Sequence, residues 1–323
     1  MTKLSRREVI ASAAATAAVL GLDGPLAFLP PANAQKAADA MANGFHTWKI
    51  GNVEVTTVSD GQWVRDHDPA FIKNATVDET KAALKAAGLD DAKVTIPFTV
   101  TFVKVGGRTI MFDSGTGAQL APTAGKLAEN MQAAGIDPKS IAAVLVTHFH
   151  PDHIFGLMAK ETNAQVFPTA EIVLPKAELA WWTDASVFQK LPEARHGLAK
   201  RIQATFPTWK NVRLVDGEAD ALPGFRALPT YGHTAGHTSY VVDTGAAPLM
   251  VLGDIANIPA LFVKNPGWHV SFDADAALAE ANRRKIFDRA IADKAIVSGY
   301  HFGIPGAGTI QKDGLGYAFV PVV

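Results

Sequence analysis

The sequence predicts a mixed α/β chain in which two mixed sheets are covered by helices. Three features of its 323 residues carry this expectation: strand pairs come first, strands alternate with helices afterwards, and the pattern occurs twice. Apolar residues make up 48% of the chain, enough to bury one large core or two fused halves. No low-complexity linker divides them, so one domain is expected.

The chain opens on a segment that is expected to be an address label and not part of the fold. Arg6 and Arg7 precede a small-residue apolar run, 9–22, that is too short to span a bilayer, and Ala32, Asn33 and Ala34 form an A-x-A cleavage signature. Residues 1–34 are therefore expected to be a twin-arginine export signal, the alternative being an ordinary core helix. The mature chain, 35–323, is then periplasmic or secreted, with no membrane attachment once the signal is cleaved. Export in the folded state suits a protein whose cofactor is loaded in the cytoplasm. Lys3, Arg6 and Arg7 against Glu8 and Asp23 shift the formal charge from −1 to −2 on removal of the leader. That balance offers no electrostatic footprint for nucleic acid. There is no cysteine, which closes every disulfide, thiolate-metal or cysteine-nucleophile hypothesis.

Taken in order, FHTWKIGNVEVTTVSDG is expected to form two strands around Gly51 and Asn52, and TIPFTVTFVKVGGRTIMFDSG another pair around Gly106 and Gly107. Both are filled with β-branched and aromatic residues. AGKLAENMQAAG has helical spacing and a glycine stop at Gly135. IAAVLVTH is a buried strand and EIVLP a second, followed by helical stretches around 176–182 and 192–202. RALPTY, TSYVVDTG and PLMVLGD are three more strands. DADAALAEANRRKIFDRAIAD is an amphipathic helix leading into AIVSGYH.

Against this framework the ten histidines do not scatter. VTHFHPDHIFG, 146–156, packs His148, His150, Asp152 and His153 into six positions at the end of an apolar run. In an extended backbone His148 and His150 leave the strand on the same face, and Pro151 turns the chain so that Asp152 and His153 can reach the same region. Other strand ends carry similar groups: His233 and His237 in TYGHTAGHTSY, Asp254 in VLGDIAN and His301 in SGYHFGIPG. His148, His150, Asp152, His153, His233, Asp254 and His301 are donors of the nitrogen and carboxylate type that zinc prefers. Seven ligands suit two ions sharing one carboxylate.

The ordered set H-x-H-x-D-H, G-H-T, strand-Gly-Asp and final histidine resembles the metallo-β-lactamase superfamily, whose fold is an αβ/βα sandwich with metals at the joined sheet edges. VSDG, MFDSGTG, THFHPDH, YGHTAGHTSYVV, VLGD and FGIPGAGTIQKDGLGYAFVPV extend the resemblance to the methyl parathion hydrolases over nearly the whole mature chain. The resemblance implies His148, His150 and His233 on one metal, Asp152, His153 and His301 on the other, and Asp254 between them. Asp113 and Asp60 resemble buried aspartates that fix ligand imidazoles by accepting their free N–H groups, with turn capping as the alternative. His237 is taken as a structural partner inside the GHTAGH turn. His46, His67, His196 and His269 match nothing.

Two such ions imply a bridging hydroxide as nucleophile, a polarised carbonyl or phosphoryl oxygen and a stabilised leaving oxygen, with Asp152 orienting the hydroxide or passing a proton. The ions are expected to be Zn²⁺, although manganese, cobalt and iron accept the same ligands. Asp254 argues against a β-lactamase, where the resemblance expects cysteine or serine. Export and the lack of basic charge argue against a nuclease, and His150 argues against a diiron redox relative. The resemblance places an aryl leaving-group pocket near Trp181, with Trp182 beside it, the alternative being packing of a helix onto the core. Leu120 stands where the family has phenylalanine. The expected function is a binuclear zinc hydrolase cleaving neutral esters, lactones or aryl esters, with organophosphate triesters as a related activity. An acyl-homoserine lactonase, a catalytically silent periplasmic metal-binding protein and a mononuclear iron dioxygenase of the same fold are the alternatives. A homodimer is expected only because relatives dimerise.

Overall fold

Ile50 pairs with Val53 across Gly51 and Asn52, closing a hairpin between β1 (Phe45–Ile50) and β2 (Val53–Arg65). A computed structural model describes residues 42–322 of the chain; the export signal expected over 1–34 lies outside the described residues. β2 pairs antiparallel with β3 (Val94–Val105), and β3 turns at Gly106 and Gly107 into β4 (Arg108–Phe112). β5 (Ile141–Leu145), β6 (Glu171–Pro175) and β7 (Val212–Val215) then add in parallel, giving a sheet in the order β1 to β7.

The second sheet contains β8 (Asp220–Leu222), β9 (Phe225–Pro229), β10 (Thr238–Val242), β11 (Leu249–Val251), β12 (Ile296–Ser298), β13 (Ala307–Asp313) and β14 (Gly316–Pro321), in that spatial order. Its pairs are antiparallel except for β11 with β12. Short 3-10 turns aside, the helices among the described residues are α1 (Val77–Ala86), α2 (Leu127–Ala133), α3 (Pro151–Ile154), α4 (Lys176–Thr183), α5 (Val187–Lys190), α6 (His196–Thr205), α7 (Pro259–Phe262) and α8 (Ala276–Ala292). This is the mixed α/β sandwich that the sequence predicts.

Strand alternation divides the core. Ile110, Phe112, Ala143, Leu145 and Val173 join Phe225, Ala227, Tyr240 and Val251 in one cluster between the sheets, while Met111, Val144, Ile172 and Leu174 point the other way, into a cluster with helix residues such as Trp182 and Ile202. Successive side chains of a strand leave on opposite faces, so strands covered on both sides read as unbroken apolar runs. The ring of Phe112 lies 5.6 Å from that of Tyr240, whose hydroxyl donates to the carbonyl of Val146 at 2.7 Å. The two sheets are thereby locked together where β5 runs out.

Several elements were not anticipated. α1 is closed by a capping box in which Thr76 and Glu79 satisfy each other's backbone N–H. β7, β8 and the β13–β14 hairpin were also missed; they are short or sit at sheet edges, where burial leaves a weak alternation.

Candidate metal centre

Five strand ends converge on one edge of the sandwich. β4 leads to Asp113, β5 to His148, His150, Asp152 and His153, β9 to His233, β11 to Asp254, and β12 to His301. Between His148 and His150, Phe149 is fully buried and packs on Phe206, with ring centroids 4.8 Å apart. The alternation thus sends one side chain into the core and its two neighbours into the site. Pro151 opens α3, whose single turn presents Asp152 and His153.

Donor atoms of His148, His150, His233 and Asp254 lie within 4.8 Å of one another, and those of Asp152, His153 and His301 form a second such group. Nδ1 of His150 is 3.0 Å from Nε2 of His148 and 2.9 Å from Nε2 of His233. Asp254 reaches both groups: Oδ2 lies 3.2 Å from His233 Nε2 and 3.0 Å from His301 Nε2, while Oδ1 lies 3.2 Å from His153 Nε2. Oδ2 of Asp152 is 3.4 Å from His153 Nε2 and 3.5 Å from His301 Nε2. All seven sequence-predicted ligands therefore meet.

The ring partners fix which nitrogen faces inward. Nδ1 of His153 donates to Asp113 at 2.8 Å, Nδ1 of His233 to Asp273 at 2.8 Å, Nδ1 of His301 to the carbonyl of Pro97 at 2.8 Å, and Nδ1 of His148 to Thr147 Oγ1 at 3.0 Å. Each of these rings presents the lone pair of Nε2 to the centre. Nε2 of His153 and Oδ1 of Asp254 are both buried without a hydrogen-bond partner. Two acceptors facing each other at that depth require a cation between them, a proton or a metal ion. Burial opposes charge on these rings, yet Asp254, Asp152 and Asp113 hold His153 well above its ordinary pKa, and Asp254 and Asp273 bring His233 to about 9. The cluster demands positive charge, and its nitrogen and oxygen donors suit divalent ions.

Behind the ligands lie further supports. Asp113 also accepts from Thr147 N at 2.7 Å and Thr147 Oγ1 at 2.9 Å. Burial drops the ring of His237 to about 3, so it stays neutral: Nε2 accepts from the backbone N–H of Asp254 at 2.9 Å, and Nδ1 donates to Thr230 at 2.8 Å. A Cβ on Gly253 would lie 2.7 Å from that Nε2, and Gly253 has φ +59°, so glycine is what lets Asp254 approach.

Asp60 does not fix a ligand ring. It accepts from Thr116 N, Thr116 Oγ1 and Leu127 N, tying the loop after β4 to the start of α2. A bulge in β2 between Ser59 and Gly61 turns it toward those donors.

Three residues of the site escaped sequence analysis. Asp273, which holds His233, lies just before α8 and looks like a capping residue. Glu178 is fully buried in α4 and accepts from Phe149 N, Trp182 Nε1, Thr234 Oγ1 and Gly236 N; as one glutamate in a helix it gives no signal. Burial pushes its carboxyl up while the four donors pull it back. Arg195, at the end of the short turn Glu193–Arg195, gives none either.

A cleft of about 230 Å³ opens onto the centre, with Trp63, Ile96, Phe98, Leu120, Leu198 and Phe272 as its apolar walls. Trp181 and Trp182 are not among its lining residues. Trp182 is 1% exposed, with its indole N–H on Glu178, and Trp181 packs edge-on against it at 5.1 Å and onto the core. Burial of the apolar face of α4 claims both rings. The aromatic walls come instead from Trp63 and Phe272, stacked at 6.3 Å, and Phe98.

Known proteins resemble this chain in part. N-acyl homoserine lactonase from a Bacillus species is 24% identical over 151 residues, 47% of this chain and 52% of the lactonase. Ribonuclease Z of Thermobifida fusca is 29% identical over 139 residues, 41% of this chain and 39% of that protein. The chain thus spans about half the length, or less, of these curated relatives. Among solved structures, AidC, a dizinc quorum-quenching lactonase in complex with a product, aligns with a TM-score of 0.80 and 26% identity over 87% of this chain and 98% of that one. The description of the Metallo-beta-lactamase superfamily matches residues 99–301, more than half of the sequence, and the chain belongs to that superfamily.

Proposed function

We propose that the chain is a binuclear zinc hydrolase that opens lactones and cleaves neutral aryl esters, with phosphotriester hydrolysis as a related activity. The observation that carries this reading is Asp254, whose carboxylate reaches both ligand groups, Oδ2 lying against His233 and His301 and Oδ1 against His153 across an unsatisfied contact. His148, His150 and His233 would hold one ion, Asp152, His153 and His301 the other, with Asp254 between. Divalent ions bound there supply Lewis-acid polarisation of the reacting oxygen and a water acidified toward neutrality.

The chain's own groups account for the rest. Asp152 lines the cleft and is placed to hold a proton or pass one to the leaving group. Burial raises its carboxyl, but His153 and His301 overcome this and keep it below the ordinary aspartate value. The apolar walls exclude water and take the hydrocarbon part of the substrate. Asp254 stands where cysteine or serine would be expected in a β-lactamase, and the narrow apolar cleft favours a small molecule over the nucleic acid of a ribonuclease.

An acyl-homoserine lactonase is the second reading, favoured by the likeness to AidC over 87% of this chain. Elemental analysis of protein expressed without residues 1–34, with parallel assays on dihydrocoumarin, an acyl-homoserine lactone and methyl parathion, tests both. Two zinc ions with dihydrocoumarin ahead supports the first, and a lead for the acyl-homoserine lactone supports the second. Two metals without turnover on any of them leaves a binding protein, and a single iron removes the mechanism.

A further inference from the structure

Arg195 stands in the cleft without a carboxylate partner. It ends the short turn Glu193–Arg195 that leads into α6 and lines the same cleft as His150, Asp152 and Asp254. Among the described residues its one polar side-chain contact is with His150, Nη1 lying 3.4 Å from Nε2. Burial pulls the guanidinium below the usual arginine value, and no carboxylate offsets that pull.

The contact with His150 satisfies neither group once Nδ1 of His150 serves as a ligand. His150 turns Nδ1 toward His148 and His233, so when that nitrogen serves as a ligand the ring proton sits on Nε2. Arginine carries donors alone. Two donors 3.4 Å apart call for a third group that accepts from both. A neutral acceptor would leave the guanidinium charge unpaired in a cleft whose own carboxylates, Asp152 and Asp254, belong to the ligand groups, whereas a carboxylate offers two oxygens and the opposite charge.

We propose that Arg195 and the Nε2–H of His150 form a carboxylate-binding subsite beside the metal centre, selecting esters and lactones that carry a remote carboxylate on an apolar body. The reacting bond stays neutral. The carboxylate rests on Arg195, and the body lies against Trp63, Phe98 and Phe272. This deepens the proposed function and rests on that reading for the reaction, though not for the binding.

The test uses metal-loaded protein as wild type, Arg195→Gln and Arg195→Lys, with metal content and melting temperature checked for each. In calorimetric titration with hexanoate, the dissociation constant is expected to rise about 10- to 100-fold in Arg195→Gln, the worth of one charge-assisted hydrogen bond, and by less in Arg195→Lys. The ratio of kcat/KM for mono-p-nitrophenyl glutarate to that for p-nitrophenyl butyrate is expected to fall by a similar factor in Arg195→Gln. An unchanged hexanoate affinity in Arg195→Gln overturns the subsite, as does an equal loss in both variants, which would remove charge as its basis. If the wild type hydrolyses neither ester the hydrolase reading fails, while the hexanoate titration still decides the role of Arg195.

Discussion

Asp113 holds Nδ1 of His153 at 2.8 Å from a backbone in the left-handed region, with φ 60°. Aspartate tolerates that region better than most residues, and a strained position that persists beside a site is one its surroundings over-determine. Here the constraint is the shared carboxylate, which also binds Thr147 N and Oγ1 and so joins the ends of β4 and β5. Asp113→Asn replaces one acceptor oxygen with a donor and loosens the ring. Affinity for one of two ions is expected to fall about 10- to 100-fold, read by competition with a chromogenic chelator. Identical affinities in variant and wild type would remove Asp113 from the site.

Glu178 links two ligand-bearing loops from behind. Its Oε1 takes Phe149 N and Trp182 Nε1, and its Oε2 takes Thr234 Oγ1 and Gly236 N. Gly236 is pressed so close that a Cβ there would lie 2.0 Å from Glu178 N. In Glu178→Gln the amide nitrogen faces two N–H donors on one side, and on the other Gly236 N beside a Thr234 hydroxyl that can turn to accept from it. A loss of about 1–3 kcal/mol in stability is expected from the one unmet buried hydrogen bond, measured by urea unfolding of metal-free protein. A shift below about 1 kcal/mol, the size of an ordinary surface change, would mean the loops are held elsewhere.

Asp254 is the carboxylate both ligand groups share, and its removal should be felt by both. Asp254→Ala is expected to bind at most one ion per chain and to lose most of its turnover, about 100-fold or more given the role of two ions in such sites. Elemental analysis after gel filtration reads the first effect and aryl-ester hydrolysis the second. A variant that keeps two ions and wild-type kcat would sink the shared-carboxylate assignment. Chelation of the wild type should lower its melting temperature, since an ion bound only to the folded chain adds stability by mass action.

The parts of this molecule legible in the sequence are those whose chemistry repeats at a fixed place. The ligands were readable because each follows an apolar strand, so His148, Asp254 and His301 announce themselves by position as well as by type. What holds them was less so. Asp113 follows the end of β4 in a recognisable turn, but Asp60, which VSDG makes look similar, lies inside β2 and binds Thr116 and Leu127 instead; the difference is a bulge at Ser59 and Gly61 that no local pattern marks. Glu178 and Asp273 act across sequence separations of 56 and 40 residues, to Thr234 and His233, distances over which periodicity carries no information. α1 is a different case, since TVDE is a capping box and could have been read.

The aromatic residues give the last prediction, because sequence and structure disagree over which tryptophan meets the substrate. Trp181 is packed on Trp182 and the core, whereas Trp63 lines the cleft and stacks on Phe272. Trp181→Ala should therefore act on stability, costing about 1–3 kcal/mol as a half-buried aromatic, without moving KM for p-nitrophenyl acetate. Trp63→Ala removes a wall of the cleft and should raise that KM about 3- to 10-fold, the worth of one aromatic contact. Steady-state kinetics and urea unfolding on both variants separate the effects. If Trp181→Ala raises KM while Trp63→Ala does not, the substrate enters past α4 and not through this cleft, and the site opens on a different side of the sandwich.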